Sequence, residues 1–479
     1  MSPYLIIGII SGYFLLIFGV SKLTSRGADS ATFFSGNRES PWYLVAFGMI
    51  GTSLSGVTFI SVPGWVGSSS FSYFQIVLGY MVGYAVIALV LMPVYYRLKT
   101  ISIYSYLQER FGLKAHKTGA AFFLISRTIG ASFRLFLVAT VLQLAIFDSF
   151  GFPFFLTVLI TILLIWIYTN KGGIKTIVFT DTLQTLFMLL ALGLSIIIIG
   201  NQLGTNFLGL VEMVSESDLS KTFFWEYKSD QFFIKQFLSG AFIAVVMTGL
   251  DQDMMQKNLS CRTLSDGQKN VFWFSIILLV VNLAFLFLGA LLYLYADQFS
   301  IEIPSKADNL FPLLALNHFG TIGAILFLLG IIAAAYSSAD SALTALTTSF
   351  CVDFLDVNKY SEEKTQSIKR KVHIGFSLLL FLCVIVFEAI NDDSVIASLF
   401  TVAGYTYGPL LGLFGYGILT KFKATDKWIP MICVLSVILT KLLSDYDKQL
   451  LNGYEFGFEL LIINGVITFL GLFLSRKAS

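Results

Sequence analysis

The chain has 479 residues, 56% hydrophobic, 15% aromatic and only 13% charged, with a formal net charge of +2. A soluble globular domain carries roughly 25% charged residues, so this composition excludes one and points to an integral membrane protein in a lipid bilayer. No nucleic-acid partner is expected, and no enzyme active site, because no His, Cys or Ser nucleophile lies beside a suitable base.

Apolar runs long enough to cross about 30 Å of hydrocarbon at about 1.5 Å per residue recur throughout. Thirteen spans are predicted, near 3–23, 43–66, 71–96, 118–147, 150–168, 174–200, 233–256, 270–296, 319–355, 372–390, 395–420, 426–446 and 456–475. The first, "MSPYLIIGIISGYFLLIFGVSKL", lacks the basic region and cleavage site of a secretory signal and reads as a retained helix. With the N-terminus outside and the C-terminus cytoplasmic, alternate loops face the cytoplasm, where Lys and Arg should gather. Of 31 such residues, 23 fall in inside segments, Lys171, Lys257 and Lys477 among them; six fall outside, and Arg127 and Arg134 lie within a span. That imbalance predicts a multi-pass protein of the plasma (inner) membrane. The four cysteines and three histidines show no metal or disulfide spacing.

The second span, "GMIGTSLSGVTFISVPGW", is uncharged but rich in small and hydroxylated residues. That density suits close helix packing, and equally a discontinuous helix whose freed carbonyls ligate a cation. The fourth span carries Arg127 and Arg134, seven apart and on one face. Each either neutralises a buried acid or holds an anionic or zwitterionic solute. Asp181 stands in the sixth span, and Asp251 and Asp253 in the seventh, two apart, so both turn inward only if the helix unwinds near Gly249. Asp253 reads as a ligand, or as a solvated or gate-forming carboxylate near the cytoplasmic end.

The ninth span holds "AAAYSSADSALTA". The carbonyl of Ala334 points towards Ser337 and Ser338, and Asp340 and Ser341 follow on overlapping faces. One turn therefore offers about three oxygens to a hard cation, with the rest needed from a broken neighbour. A charge at the centre of a span costs about 2.5–3.5 kcal/mol, so two cations and four acids mark sites or pairs, with net negative charge for a bound cation to balance. Asp340 either joins Asp181 or pairs with Arg127 or Arg134.

"GGIKTIVFTDTLQ", "GLDQDMMQKNLSCRTLSDGQK", "AAAYSSADSALTALTTSFCVDF" and "TVAGYTYGPLLGLFGYGIL", in that order, resemble motifs of the sodium:solute symporter family (sodium/glucose cotransporter-like) across nearly the whole chain. The resemblance implies an all-α membrane protein of 13 transmembrane helices: a LeuT-type core of two inverted five-helix repeats, one extra N-terminal helix and two extra C-terminal helices. It divides a single transporter domain into 1–42 (leading helix and loop), 43–200 (first repeat), 201–232 (extracellular loop), 233–420 (second repeat) and 421–479 (last two helices). It implies a first sodium site from the carbonyls of Gly51, Leu54 and Ala334 and the hydroxyls of Ser337 and Ser338. A second site, present in some members, has Asp181, Ser338, Asp340 and Ser341 as counterparts. For the solute it points to Ser53, Ser55, Thr58, Tyr73, Gln75, Arg134, Asp251 and Thr401. "SLSGVT" is similar to sialic-acid-transporting members, whereas the Asp-Gln-Asp of 251–253 departs from the Asn-Gln-Tyr of sugar-transporting ones. The function implied is sodium-coupled import of a small organic solute by alternating access, with a monomer sufficient. Proton coupling and a solute sensor with little transport are the alternatives.

Overall fold

The computed structural model describes residues 3–26, 29–99, 101–390 and 395–476; Lys477 lies outside them, as does the side chain of Lys171. Those residues are helical, without strands. In chain order the long apolar helices are α1 (Tyr4–Thr24), α2 (Trp42–Ser53), α3 (Val57–Ser69), α4 (Tyr73–Leu98), α5 (Leu113–Ala145), α6 (Phe154–Thr169), α7 (Gly173–Gln202), α8 (Phe233–Gly249), the short α9 (Gln252–Asn258), α10 (Leu264–Gln298), α11 (Gly320–Phe354), α12 (Glu362–Ile390), α13 (Val395–Leu419), α14 (Asp426–Asp445) and α15 (Leu460–Leu474). Eight of these are long and apolar enough to cross a membrane, and the chain is a multi-pass membrane protein.

Two predicted spans are broken. α2 and α3 meet at 61°, and α8 and α9 at 70°. At the first break Leu54 leaves helical geometry (φ −81°, ψ 62°) and Val57–Ser61 resumes as a π-helical turn. At the second, Leu250 and Asp251 are non-helical, and the Asp251 carboxylate accepts from the amides of Asp253 (2.9 Å) and Met254 (3.3 Å), capping α9. The carbonyls freed there find tyrosines: Tyr95 donates to Gly249 O and Tyr104 to Leu250 O, each at 2.9 Å. Buried backbone groups without water need such partners.

Other departures from expectation sit at helix ends. α12 begins at Glu362 rather than near 372, because its first turns are polar and continue the helix beyond the apolar segment. The loop at 201–232 contains a helix, Phe207–Glu216, capped by Asn206 Oδ1 on the Gly209 amide (3.0 Å). On the other side, Asp29 caps the short helix Ser30–Ser35. Its carboxylate takes the Thr32 hydroxyl (2.6 Å) and amide (2.7 Å), and those bonds hold it below the ordinary carboxylate range. Glu362 fastens this helix by accepting from the Ser30 amide (3.0 Å) and hydroxyl (2.8 Å). Gly173 turns the chain into α7 at φ +52°, against the backbone of Phe33, where a β-carbon has no room.

α11 is the axis of the bundle. Residues 330–349 along it are buried without interruption, and of their polar side-chain atoms Asp340 Oδ1 and Thr344 Oγ1 have no partner.

Candidate functional site

The serine turn of α11 lies against the break between α2 and α3. The Ser337 hydroxyl donates to Gly51 O (2.8 Å) and lies 3.4 Å from Ala334 O, and the Ser338 hydroxyl donates to Thr52 O (3.2 Å). Both serines are fully buried. Two hydroxyls and the carbonyls of Gly51 and Ala334 therefore converge from two helices, a donor set of neutral oxygens suited to a hard monovalent cation. Leu54, the non-helical residue at the break, lies three residues after Gly51.

One turn along, Asp181 Oδ2 accepts from Thr52 Oγ1 (2.9 Å) and Ser341 Oγ (3.4 Å). Asp340 Oδ2 accepts from Tyr168 (2.8 Å) and so pairs with neither arginine. Into this group comes a third cation. Lys257, assigned to the cytoplasmic side from its place at the end of a span, is 1% exposed and puts Nζ 2.5 Å from Asp181 Oδ2, with a further bond to Thr52 Oγ1. The assignment fails because α9, set off by the bend, leads Lys257 back into the bundle.

The paired acids at the second break both turn inward, as the unwound reading requires. Arg127 bonds Asp253 through Nη2 and lies 3.9 Å from Asp251 Oδ2, which accepts from Tyr407. Asp253 is buried and ion-paired rather than solvated. Arg127 is paired with acids but leaves Nε without a partner, while Arg134, also buried, leaves both Nε and Nη1 without one.

Both arginines line a central cavity of about 80 Å³ walled by α2, α3, α4, α5, α8, α9, α10 and α13. Ser53, Ser55, Thr58, Tyr73 and Arg134 line it, as the sequence led us to expect. Three expected residues do not. Gln75 is turned to the loop before α8, donating to Gln231 O (2.8 Å) and Gln236 Oε1 (2.9 Å) and accepting from the Phe224 amide. Asp251 spends both oxygens on its cap and on Tyr407 and Arg127. Thr401 is exposed on the outer face of α13, and its neighbours Leu399 and Phe400 line the cavity instead.

Sequence reasoning missed Tyr80, Tyr84, Thr248 and Asn282, all on the cavity wall. Tyr73, Tyr80 and Tyr84 are seven and four apart, a one-face helical stripe that spacing reveals. Asn282 is a lone amide deep in an apolar helix, its Oδ1 unpartnered, which was also a readable signal.

The chain is similar to known proteins along most of its length. A family model, sodium:solute symporter family, matches residues 33–422. The sodium/sialic acid symporter SiaT of Proteus mirabilis is 24% identical over 472 residues, covering 95% of this chain and 92% of that protein. The sodium/sialic acid symporter NanT of Aliivibrio fischeri is 24% identical over 447 residues, covering 89% and 85%. Among solved structures, a sodium-coupled sialic acid symporter in a substrate-bound outward-open state superposes with a TM-score of 0.84 at 20% identity, covering 98% of both chains. The nucleobase-cation-symport-1 transporter Mhp1 gives 0.60 at 13% identity, covering 93% of this chain and 94% of that one. These likenesses establish a LeuT-type transporter fold.

Proposed function

Since this chain belongs to the sodium:solute symporter family, a family of transporters and not enzymes, we propose in detail how it couples sodium to its solute. The protein is a sodium-coupled symporter that imports a small organic solute. Sodium binds between the carbonyls of Gly51, Leu54 and Ala334 and the hydroxyls of Ser337 and Ser338. The observation that carries this is the 2.8 Å bond from Ser337 to Gly51 O across the broken helix. That bond holds the oxygens in place, and a cation entering among them takes the carbonyl while the hydroxyl turns its lone pairs inward.

The solute is a carboxylate-bearing polyol of the sugar-acid class. Arg134 supplies two free donors for the carboxylate, and Ser53, Ser55, Thr58 and Tyr73 supply hydroxyls for the ring substituents. Ser53 adjoins Leu54, so sodium that fixes the break also fixes the solute's hydroxyl partners. This is reciprocal coupling of two affinities, typically about 1–3 kcal/mol. A cavity of about 80 Å³ is smaller than the roughly 300 Å³ of a typical ligand site, so the wall of Tyr73 and Phe400, ring centroids 6.5 Å apart, must open for loading.

The architecture fits thirteen crossings in the divisions 1–42, 43–200, 201–232, 233–420 and 421–479. The two bent pairs, α2/α3 and α8/α9, support two inverted five-helix repeats that each begin with a broken helix. The cytoplasmic excess of Lys and Arg supports an outside N-terminus in the plasma membrane.

Uptake of radiolabelled N-acetylneuraminic acid into proteoliposomes tests the reading. Accumulation is expected with an inward sodium gradient and is expected to vanish when choline replaces sodium. Equal uptake in choline overturns sodium coupling. Sodium-dependent uptake of another solute, with none of this acid, overturns the solute class alone.

A further inference from the structure

We propose that the ammonium of Lys257 is the standing cation of the Asp181–Asp340 pocket, held where a second sodium ion would sit, so that the protein carries one sodium per solute. The proposal rests on the serine-turn site described above and concerns the pocket beside it.

Asp181 Oδ2 already has three donors around it, while Asp181 Oδ1 and Asp340 Oδ1 have no partner. Lys257 Nζ lies 2.5 Å from Asp181 Oδ2, Thr52 Oγ1 2.9 Å and Ser341 Oγ 3.4 Å. Lys257 also donates to Thr52 Oγ1. Asp181 is fully buried and Lys257 is 1% exposed, so water does not screen the pair. A sodium ion on the same oxygens would stand within a few ångströms of the ammonium. Two like charges that close in a buried, unscreened pocket repel strongly. One cation therefore excludes the other, and the lysine, tethered to α9, has no entropy of capture to overcome.

The placement also wires the pocket to the first site. Thr52 shares its hydroxyl with Lys257 and Asp181 and its carbonyl with Ser338, 3.2 Å away. Lys257 thus clamps α9, the inner half of one broken pair, onto α2, the half-helix that frames the serine turn. In this role it is a positioning residue that substitutes for an ion, and ion stoichiometry separates that role from a merely structural one.

The test counts ²²Na⁺ bound at saturation by the purified full-length protein. Wild type is expected to bind one ion per monomer with a Hill coefficient near one, and Ser338→Ala to reach that count only at about tenfold higher sodium. Lys257→Arg keeps a cation in place and should stay at one. Lys257→Met opens the pocket, and its count should rise to two, with the Hill coefficient moving towards two. Two ions in wild type, or one in a folded Lys257→Met protein, overturns the proposal. Should Lys257→Met not fold, the charge-neutral Lys257→Met/Asp181→Asn double variant is expected to bind one ion like wild type. A drop from two to one makes Asp181 a sodium ligand and also overturns the proposal. No ion in wild type but one in Lys257→Met keeps the lysine in its pocket and removes the serine-turn site instead; none in either removes both.

Discussion

Ser338 and Arg134 are the residues on which the coupling reading turns. Ser338→Ala removes one of about five sodium ligands, and if that ligand contributes about 1.4 kcal/mol, sodium affinity falls about tenfold with the fold intact. A sodium titration of thermal stability checks it, and equal midpoints for variant and wild type remove Ser338 from the site. Arg134→Gln leaves a polar side chain but no charge for a carboxylate, so solute affinity is expected to fall by about tenfold to a hundredfold while sodium binding persists. Isothermal titration with and without sodium reads both. The serines and Arg134 were legible because each breaks an apolar pattern within one helix. Lys257 was not: at the end of a span a lysine looks like a cytoplasmic anchor, and only the 70° bend of the α8/α9 pair turns it inward. Asp340 was left between two partners on sequence, and it takes a third, Tyr168, from α6.

At the level of elements, the breaks were readable in outline because glycine, hydroxyl and paired acid residues cluster at 48–58 and 249–253. Their tyrosine partners were not, since Tyr95 and Tyr104 are distant in sequence from Gly249 and Leu250. α13 shows the same device. Pro409 within it removes the amide that would bond Tyr405 O, and Asn464 of α15 donates there (2.9 Å) and to Gly404 O (3.1 Å). Asn464→Leu leaves those carbonyls without their side-chain donor and is expected to cost about 1–3 kcal/mol, seen as a lowered unfolding temperature in detergent. The cap at Asp29 predicts a pH effect. Its folded pKa lies below the unfolded value near 3.8, so the cap's contribution is complete above that value and is lost as pH falls through the folded one. Amide exchange in Ser30–Ser35 should therefore accelerate, relative to the rest of the bundle, below about pH 4. Asp29→Asn, which keeps an accepting oxygen but no titration, should flatten that dependence.

For the whole molecule, the recurring apolar runs made an all-helical, multi-pass protein legible, since bilayer thickness acts on sequence directly, and the loop charges imply a sidedness. The sidedness they imply is open to a direct check: an impermeant amine reagent added to intact cells should modify Lys221 and Lys228 but spare Lys364 and Lys371, and the reverse pattern inverts the topology. The cavity was only partly legible, because facing Gln75 to a loop and Thr401 to the outside depends on helix rotation, which hydropathy does not encode. The buried lysine also decides what powers uptake. When Lys257 supplies the second positive charge and never leaves the protein, one sodium entering with one carboxylate moves no net charge across the membrane. The roughly 2.3 kcal/mol per charge that 100 mV offers is then out of reach, and the sodium ratio alone sets the ceiling on accumulation. A tenfold sodium gradient concentrates such an anion at most about tenfold, the same whether valinomycin and potassium impose a voltage or collapse it.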